Sequence, residues 1–598
     1  MKKYLAILLI IAGVFASYAP ALRDGFVWDD TALILRDPLI RSWRLIPEGF
    51  NHFLFVDATA SDFYRPLQRL TYTLDYAAFA FRPGAYHAAS ILWHAAAAIA
   101  LFVFAEELLL AFGIERQKRL WIAFLAVLVW AIHPVESAAV AYVSGRADPL
   151  AAIFGFFGLY LLLLSLRAIG RPRLFFLIGA GVALLLSALS KEAGLIFPAI
   201  GIAFFVLKKD WIDMWKAVGV AAFVCAIYFS LRSAAEHIPP PALSAPAPLL
   251  VRPIIVARAV AEYGGLILLP LHLHMDRDVE THPSGFTQAS LSGAAWRELQ
   301  TLLGILLIAA VIFWMARARK RNPAAFPCLL FAVISYLPIS GIVALNASVA
   351  EHWIYLPSAF FFLAVSIEIG TLEPTQWRQR STITLGALLL FIVWLAFLGA
   401  RTFIRAFDWK DQRTFLERNI AGGGDSARML INLADLELSE GKLEDAAVQL
   451  HAALQKNPEQ PLAVINLAAV ALKQNDFKVA REQLQRATNM PLVEAQAHEL
   501  LAVLENKENG RVDLLRLRLA ARTGPPNWSI EKRYVKVLDE SGATVQAITE
   551  LQACLRTQWY RAESWQLLSQ LFAKAGRDRE AAEALARANA YDVHLDAH

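Results

Sequence analysis

The sequence predicts an all-α protein in two parts. Residues 1–400 read as a polytopic membrane helix bundle and residues 428–598 as a helical-repeat α-solenoid, with a linker at 401–427. Three observations carry this reading. The 598-residue chain is 57% hydrophobic and 18% charged, with a mean hydropathy of +0.44, where soluble domains are about 45–50% apolar and about 25% charged. The excess lies in long apolar runs before residue 400. After 425 the chain repeats itself with a period of 34 residues.

Candidate spans are 4–22, 86–112, 119–133, 147–167, 173–190, 192–207, 216–231, 298–316, 324–343, 353–370 and 382–400. Lys2-Lys3 before the first run, and the fit of its length to the bilayer core, favour an uncleaved anchor over a signal peptide cut at Ala19-Pro20-Ala21. Basic clusters at Lys2/Lys3, Arg116/Lys118/Arg119, Arg167/Arg171/Arg173, Lys208/Lys209/Lys216, Arg317/Arg319/Lys320/Arg321 and Arg378/Arg380 mark cytoplasmic loops. All six fall on one side if the apolar stretch 254–271, bounded by Pro253 and Pro270, is re-entrant or lies on the surface. Eleven crossings then put the C-terminal part outside, together with the longer loops 23–85, 134–146 and 232–297. The short-looped, Ala-rich sequence is read as bacterial, which places the repeats in the periplasm of an inner-membrane protein.

In the repeats, Asn432-Leu433-Ala434 recurs as Asn466-Leu467-Ala468, Ala446 as Ala480, Leu450 as Leu484 and Ala453 as Ala487. Gly542, Ala547 and Leu551 recur as Gly576, Ala581 and Leu585. Small residues at fixed offsets in a 34-residue unit are the tetratricopeptide signature, in which Ala lets two helices pack closely. Four to five units fit, the one at 494–527 being degenerate. Such arrays hold peptides or partner proteins, or serve as spacers.

Residues 401–598 hold 26 Lys+Arg against 27 Asp+Glu, while residues 1–400 hold 31 against 25, so the +5 net charge belongs to the membrane part. A near-neutral soluble part gives no reason to expect nucleic acid. Cys225, Cys328 and Cys554 are too few and scattered for a disulfide framework. His133 has no neighbouring ligands in the sequence, so a metal site is not expected.

Ionisable residues near the membrane are costly and mark function. At span ends predicted to face outward stand Asp29 and Asp30; Tyr64-Arg65 with Arg69; His133 and Glu136; Arg146 and Asp148; Lys191-Glu192; and Glu351-His352 with Tyr355. Bland readings stand beside these. Arg65, Arg69 and Arg146 could meet lipid headgroups, as is expected of Arg69; Lys191-Glu192 could be an ion pair in a tight turn; His133-Pro134 could only end a helix. Capping the following helix needs one acid, so the adjacent pair Asp29-Asp30 points to chemistry.

The series Phe26-Val27-Trp28-Asp29-Asp30, Tyr64-Arg65-Pro66-Leu67, His87 with His94, His133-Pro134-Val135-Glu136, Ser144-Gly145-Arg146-Ala147-Asp148, Ser190-Lys191-Glu192-Ala193-Gly194 and Glu351-His352-Trp353-Ile354-Tyr355-Leu356-Pro357-Ser358 resembles the transmembrane and tetratricopeptide-repeat O-mannosyltransferases. The junction from Arg401-Thr402 to Asp408-Trp409-Lys410-Asp411 is similar as well. That family belongs to the C-type glycosyltransferases. The resemblance implies transfer of one sugar, with inversion, from a polyprenyl-phosphate donor to a hydroxyl on the extracytoplasmic face. It assigns Asp29 or Asp30 as the base, Arg146 and more weakly Arg65 to the donor phosphate, and Glu351 with Tyr355 to a motif closing the site. His352 stands where the family more often has arginine.

Chemically, a lipid phosphate is a good leaving group that needs charge neutralisation, which a fixed arginine supplies. No cofactor or divalent metal is implied beyond the lipid-linked sugar. The expected partners are that donor, membrane lipids and an acceptor protein or peptide held by the repeats. A glycolipid or cell-wall acceptor, and a non-catalytic membrane-anchored repeat scaffold, stay open as alternatives. Polar residues in loops rather than mid-span disfavour a transporter.

Overall fold

A computed structural model describes residues 2–58, 61–235, 248–279, 288–343, 345, 347–371 and 381–595. The basic pair Arg378/Arg380 and, in the 232–297 loop, residues 236–247 and 280–287 lie outside the described residues. The chain forms two compact units. One contains the chain up to Val27, Pro83–Arg232 and the stretch from Pro246 to Asp425. The other joins Trp28–Arg82 to Ser426–His598.

In the first unit every predicted apolar run forms a helix over most of its length, from Lys3–Tyr18 to Ser381–Ala406. Eight helices are long and apolar enough to cross a membrane, and a ninth span arises if Arg116–Ala131 and Pro134–Val140, bent by 56°, form one. The chain is an integral membrane protein. The helices Ile196–Lys208 and Ala325–Tyr336 have only 13 and 12 residues, against about 20 for a full span. The ambiguous stretch forms a helix, Arg252–Leu268, of 17 residues. Its buried face (Ile255, Ala259, Tyr263, Leu266) packs on Val135, Val349 and Ile354. Two residues after it, Asp276–Arg277, pair antiparallel with Val349–Ala350.

The second unit contains five helix pairs: Ala427–Ser439 with Leu443–Lys456, Pro461–Gln474 with Phe477–Ala487, Glu494–Asn509 with Leu514–Arg522, Trp528–Glu540 with Thr544–Cys554, and Ala562–Lys574 with Asp578–Tyr591. The degenerate unit is therefore a full pair. The period is physical: Ala434, Ala446, Leu450, Ala453, Ala468, Ala480, Leu484 and Ala487 are all buried where the helices touch. Left-handed residues close the first helix of a pair at Gly441, Asn475, Gly510, Gly542 and Gly576. Asparagine tolerates that conformation where glycine is missing. Leu585 departs from the pattern and is exposed on the last helix.

The segment Trp28–Arg82 is held together by Arg69. Its guanidinium donates to Asp37 Oδ2 (3.0 Å) and to the carbonyls of Gly49 (2.8 Å), His52 (3.2 Å), Phe53 (2.6 Å) and Leu54 (2.8 Å). This corrects the expectation that Arg69 meets headgroups. It is buried, and its fork satisfies backbone acceptors that a loop of short turns leaves open.

Candidate active site

The residues singled out in the sequence divide between the two units. Arg146, Asp148, His133, Glu136, Lys191, Glu192, Glu351, His352 and Tyr355 belong to the first; Asp29, Asp30, Tyr64 and Arg65 to the second.

Arg146 ends a 3-10 turn, Val143–Arg146, that leads into the helix Ala147–Ser165. The turn folds back so closely that a Cβ on Gly145 would lie 2.3 Å from the Ala138 carbonyl oxygen, which reserves this position for glycine. The Arg146 side chain is buried. Its Nη2 donates to the Tyr86 carbonyl (2.8 Å), its Nε to Ser90 Oγ (3.3 Å), and its guanidinium carbon lies 5.8 Å from the Tyr86 ring centre. A guanidinium whose orientation is fixed this way can present a charge without reorganising. Two residues on, Asp148 receives Lys191 Nζ on both carboxylate oxygens, at 2.6 and 2.7 Å. Lys191 thus reaches an acid 43 residues earlier in the chain. Glu192, its neighbour, is half-buried in the turn that follows.

His133 caps the short turn Pro134–Glu136. Its Nδ1 accepts the Val135 N–H (3.2 Å), so Nε2 carries the proton and donates to the Ile267 carbonyl (3.0 Å). Both ring nitrogens are thus engaged with backbone, as the bland reading of His133 expects. Glu136 is buried; Ser358 Oγ donates to its Oε1 (2.8 Å), while Oε2 has no partner among the described residues. Tyr355 is also buried. His94 Nε2 faces the Ala131 carbonyl (2.9 Å) and must donate there, so the Tyr355 hydroxyl donates to His94 Nδ1 (2.7 Å). Tyr18 and Trp130 pack edge-on around this pair, Tyr18 on His94 at 5.5 Å and Trp130 on Tyr355 at 4.8 Å between ring centres.

Glu351 is buried and paired through one carboxylate oxygen. Its Oε2 accepts from Arg405 Nη2 (2.7 Å), and the same guanidinium donates to Asp408 Oδ2 (2.7 Å) and Asn419 Oδ1 (3.1 Å). Asn419 Oδ1 also accepts the Met275 N–H (2.7 Å), and the Met275 carbonyl accepts the Glu351 N–H (3.1 Å). The bonds close a ring through four chain segments. The glycine run 422–424 permits it: a Cβ on Gly422 would sit 2.3 Å from the Leu273 carbonyl oxygen. Glu351 Oε1 has no partner among the described residues. Buried carboxylate oxygens left open, here on Glu136 and Glu351, are costly acceptors of the kind a ligand hydroxyl satisfies. His352 is half-buried beside them in sequence.

Sequence reasoning quoted the junction but assigned no role to Arg405. Two arginines, Arg401 and Arg405, at the end of the otherwise apolar helix Ser381–Ala406 were the available signal. Asp24 was also missed. It is buried, its Oδ2 has no partner among the described residues, and burial, reinforced by the charges of Asp408 and Asp411, pushes its carboxyl up to about 7.

In the second unit the acidic pair begins a strained segment. Trp28 has φ +51°, a left-handed conformation that is an outlier for a bulky residue. Directly after Asp30 the chain makes a π-turn, Thr31–Leu35, closed by Arg36 N–H on the Thr31 carbonyl (3.0 Å). Both features concentrate at functional positions. The two acids are not alike: Asp30 is fully buried and Asp29 half-exposed. Tyr64 is buried with its hydroxyl donating to the Phe50 carbonyl (3.0 Å), and the Arg65 guanidinium lies 4.6 Å from the Phe63 ring centre.

A polytopic membrane bundle followed by stacked helix pairs defines a class, the repeat-bearing integral membrane proteins. Residues 437–504 match the tetratricopeptide repeat family model. Over 466 residues the chain is 24% identical to the protein O-mannosyl-transferase F38B6.6 of Caenorhabditis elegans, covering 76% of this chain and 63% of that protein. It is 24% identical to protein O-mannosyl-transferase Tmtc3 of Drosophila melanogaster (78% of this chain, 56% of that). It is 22% identical to human protein O-mannosyl-transferase TMTC1 (76% and 55%). The chain is thus similar to the TMTC-type protein O-mannosyl-transferases over about three-quarters of its own length, and spans roughly 55–63% of the length of these curated relatives. Among solved structures, ArnT from Cupriavidus metallidurans bound to undecaprenyl phosphate aligns over 84% of this chain and 81% of that one, at 15% identity. Its TM-score of 0.36 is too low to carry an argument.

Proposed function

We propose that this protein is a membrane glycosyltransferase that moves a single sugar from a polyprenyl-phosphate donor to an acceptor hydroxyl, most simply a protein Ser or Thr. The observation that carries the reading is that its similarity to named O-mannosyltransferases covers about three-quarters of the chain. The strained segment holding Asp29 and Asp30 supports it. Asp29 is the proposed general base, taking the proton of the attacking hydroxyl, and Arg146 the group that neutralises the donor phosphate, with Arg65 second. Glu136, Asp148, Lys191, Glu351 and Tyr355 are proposed as further polar residues of the membrane unit that serve the reaction. Membranes containing the protein, incubated with radiolabelled lipid-linked mannose, should transfer label to protein. Label entering only glycolipid reassigns the acceptor, and no transfer at all to any acceptor overturns the reading.

The repeats are proposed to face the extracytoplasmic side, the periplasm in a bacterial inner membrane, because the basic loops fall on the opposite side when eleven runs cross. A periplasm-only reporter fused after Ala427 should be active; a cytoplasm-only reporter active there reverses the topology.

Arg146→Ala should raise KM for the donor and lower kcat together, since the phosphate is bound in the ground state and gains charge in the transition state. Arg146→Lys should recover only part, because it keeps the charge and loses the fork. Full rescue by lysine would make Arg146 a simple anchor, and normal kinetics in purified Arg146→Ala would remove it from the site.

A further inference from the structure

The segment Trp28–Arg82 carries the acidic pair, and it is joined to the repeats at both ends of the array. At the first repeat helix, Ala427–Ser439, the Arg428 guanidinium carbon lies 5.2 Å from the Trp28 ring centre. Asp435, on the same helix, is under the charge of Arg36. The last repeat grips the rest of the segment. Arg561, buried at the start of the helix Ala562–Lys574, holds both carboxylate oxygens of Asp57. The Tyr76 hydroxyl donates to Asp592 Oδ1 (2.6 Å), the Val593 N–H to the Arg41 carbonyl (3.1 Å), and Ser42 Oγ to the Ala590 carbonyl (3.2 Å). Leu39, Leu45 and Tyr560 bury one another in a small apolar cluster beside these bonds.

A segment built from one helix, Pro66–Phe79, and several single turns has little core of its own. Strain such as that at Trp28 persists only where surrounding contacts over-determine it. Here the repeats supply one such contact, through Arg428.

We propose that the tetratricopeptide array is the mount of the Asp29–Asp30 segment, and that Arg428, over the Trp28 ring, is a positioning residue for the acidic pair. The repeats then act on catalysis from within the chain, besides any part they take in holding an acceptor. The inference rests on the proposed glycosyl transfer. Losing Arg428 removes one support of the indole and loosens the placement of Asp29, and a misplacement of about 1 Å costs on the order of 10²-fold in rate. Because the donor phosphate is assigned first to Arg146, which lies outside this segment, its KM should not move.

The test uses the full chain in lipid nanodiscs, with hydrogen exchange of peptides covering 28–36 and steady-state kinetics on the same samples. Arg428→Ala should speed exchange there and lower kcat by about 10–100-fold at unchanged donor KM. Arg428→Lys should lie between it and the wild type, since an ammonium keeps a cation near the ring but is smaller and more strongly hydrated than a guanidinium. Arg577→Ala, which removes an exposed repeat arginine paired to Glu580, should change neither readout. Unchanged exchange in Arg428→Ala overturns the mount, and faster exchange with normal kcat overturns the positioning role. A wild type that transfers no sugar defeats the proposed function, and the positioning role with it, while the exchange data still decide whether the repeats hold the segment.

Discussion

Asp29→Asn should abolish sugar transfer in a protein that still folds, whereas Asp30→Asn should first lower the yield of folded protein. The two acids are neighbours in sequence but not in environment. Asp30 is fully buried at the entry to the π-turn, and Asp29 is half-exposed after a left-handed tryptophan. A base must reach the hydroxyl it deprotonates, so the accessible acid is the better candidate. General-base assistance is worth about 10²–10⁴-fold, and asparagine keeps the size and hydrogen-bonding shape while removing the proton acceptor. A buried polar residue, by contrast, is held by contacts that the folded state needs, and altering it costs stability. Transfer rates per folded molecule, with folded fraction read from size exclusion in detergent, separate the two effects. If Asp29→Asn turns over at the wild-type rate while Asp30→Asn does not, the roles are exchanged. If both variants and the double variant keep full rate, the pair is not the base.

The parts of this molecule written as periodic patterns were readable in the sequence. Apolar runs became helices because a chain in lipid must satisfy its backbone internally, and the 34-residue spacing of small residues became five helix pairs because alanine is what fits where those helices touch. The membership of Trp28–Arg82 in the repeat-containing unit left no such trace. Tyr76 and Asp592 are 516 residues apart, and a single hydroxyl-to-carboxylate bond has no period. Arg69 misled for a related reason: an arginine near a span end has the same appearance whether it meets headgroups or collects four carbonyls. Of the candidate site, the residues themselves were legible as a series of motifs, but their partners were not. The resemblance assigns Glu351 to a motif closing the site, and in the structure it holds Arg405 with one oxygen while the other has no partner among the described residues. Nothing in the local sequence links position 351 to 405.

Arg405→Met should cost about 3–5 kcal/mol of stability, the usual penalty for removing one partner of a buried ion pair. The guanidinium is the cation shared by Glu351 and Asp408, and it is almost wholly shielded from solvent, with its carbon 4.5 Å from the Trp409 ring centre. Methionine fills most of the volume, so what is lost is charge and hydrogen bonding rather than packing. It leaves two carboxylates without their cation and removes one donor from Asn419, whose amide oxygen still receives the Met275 N–H. Arg405→Lys should recover part of the loss, since one ammonium carries the charge but cannot reproduce a fork spanning Glu351, Asp408 and Asn419. Adding Glu351→Gln to Arg405→Met should be less damaging than the sum of the single changes, because an uncompensated buried charge disappears with the second substitution. The double-mutant cycle on thermal or denaturant unfolding in detergent should therefore show a coupling of roughly 1–3 kcal/mol. Simple additivity, or an Arg405→Met variant as stable as the wild type, would mean that the ring through Glu351, Arg405, Asn419 and Met275 does not hold these four segments together.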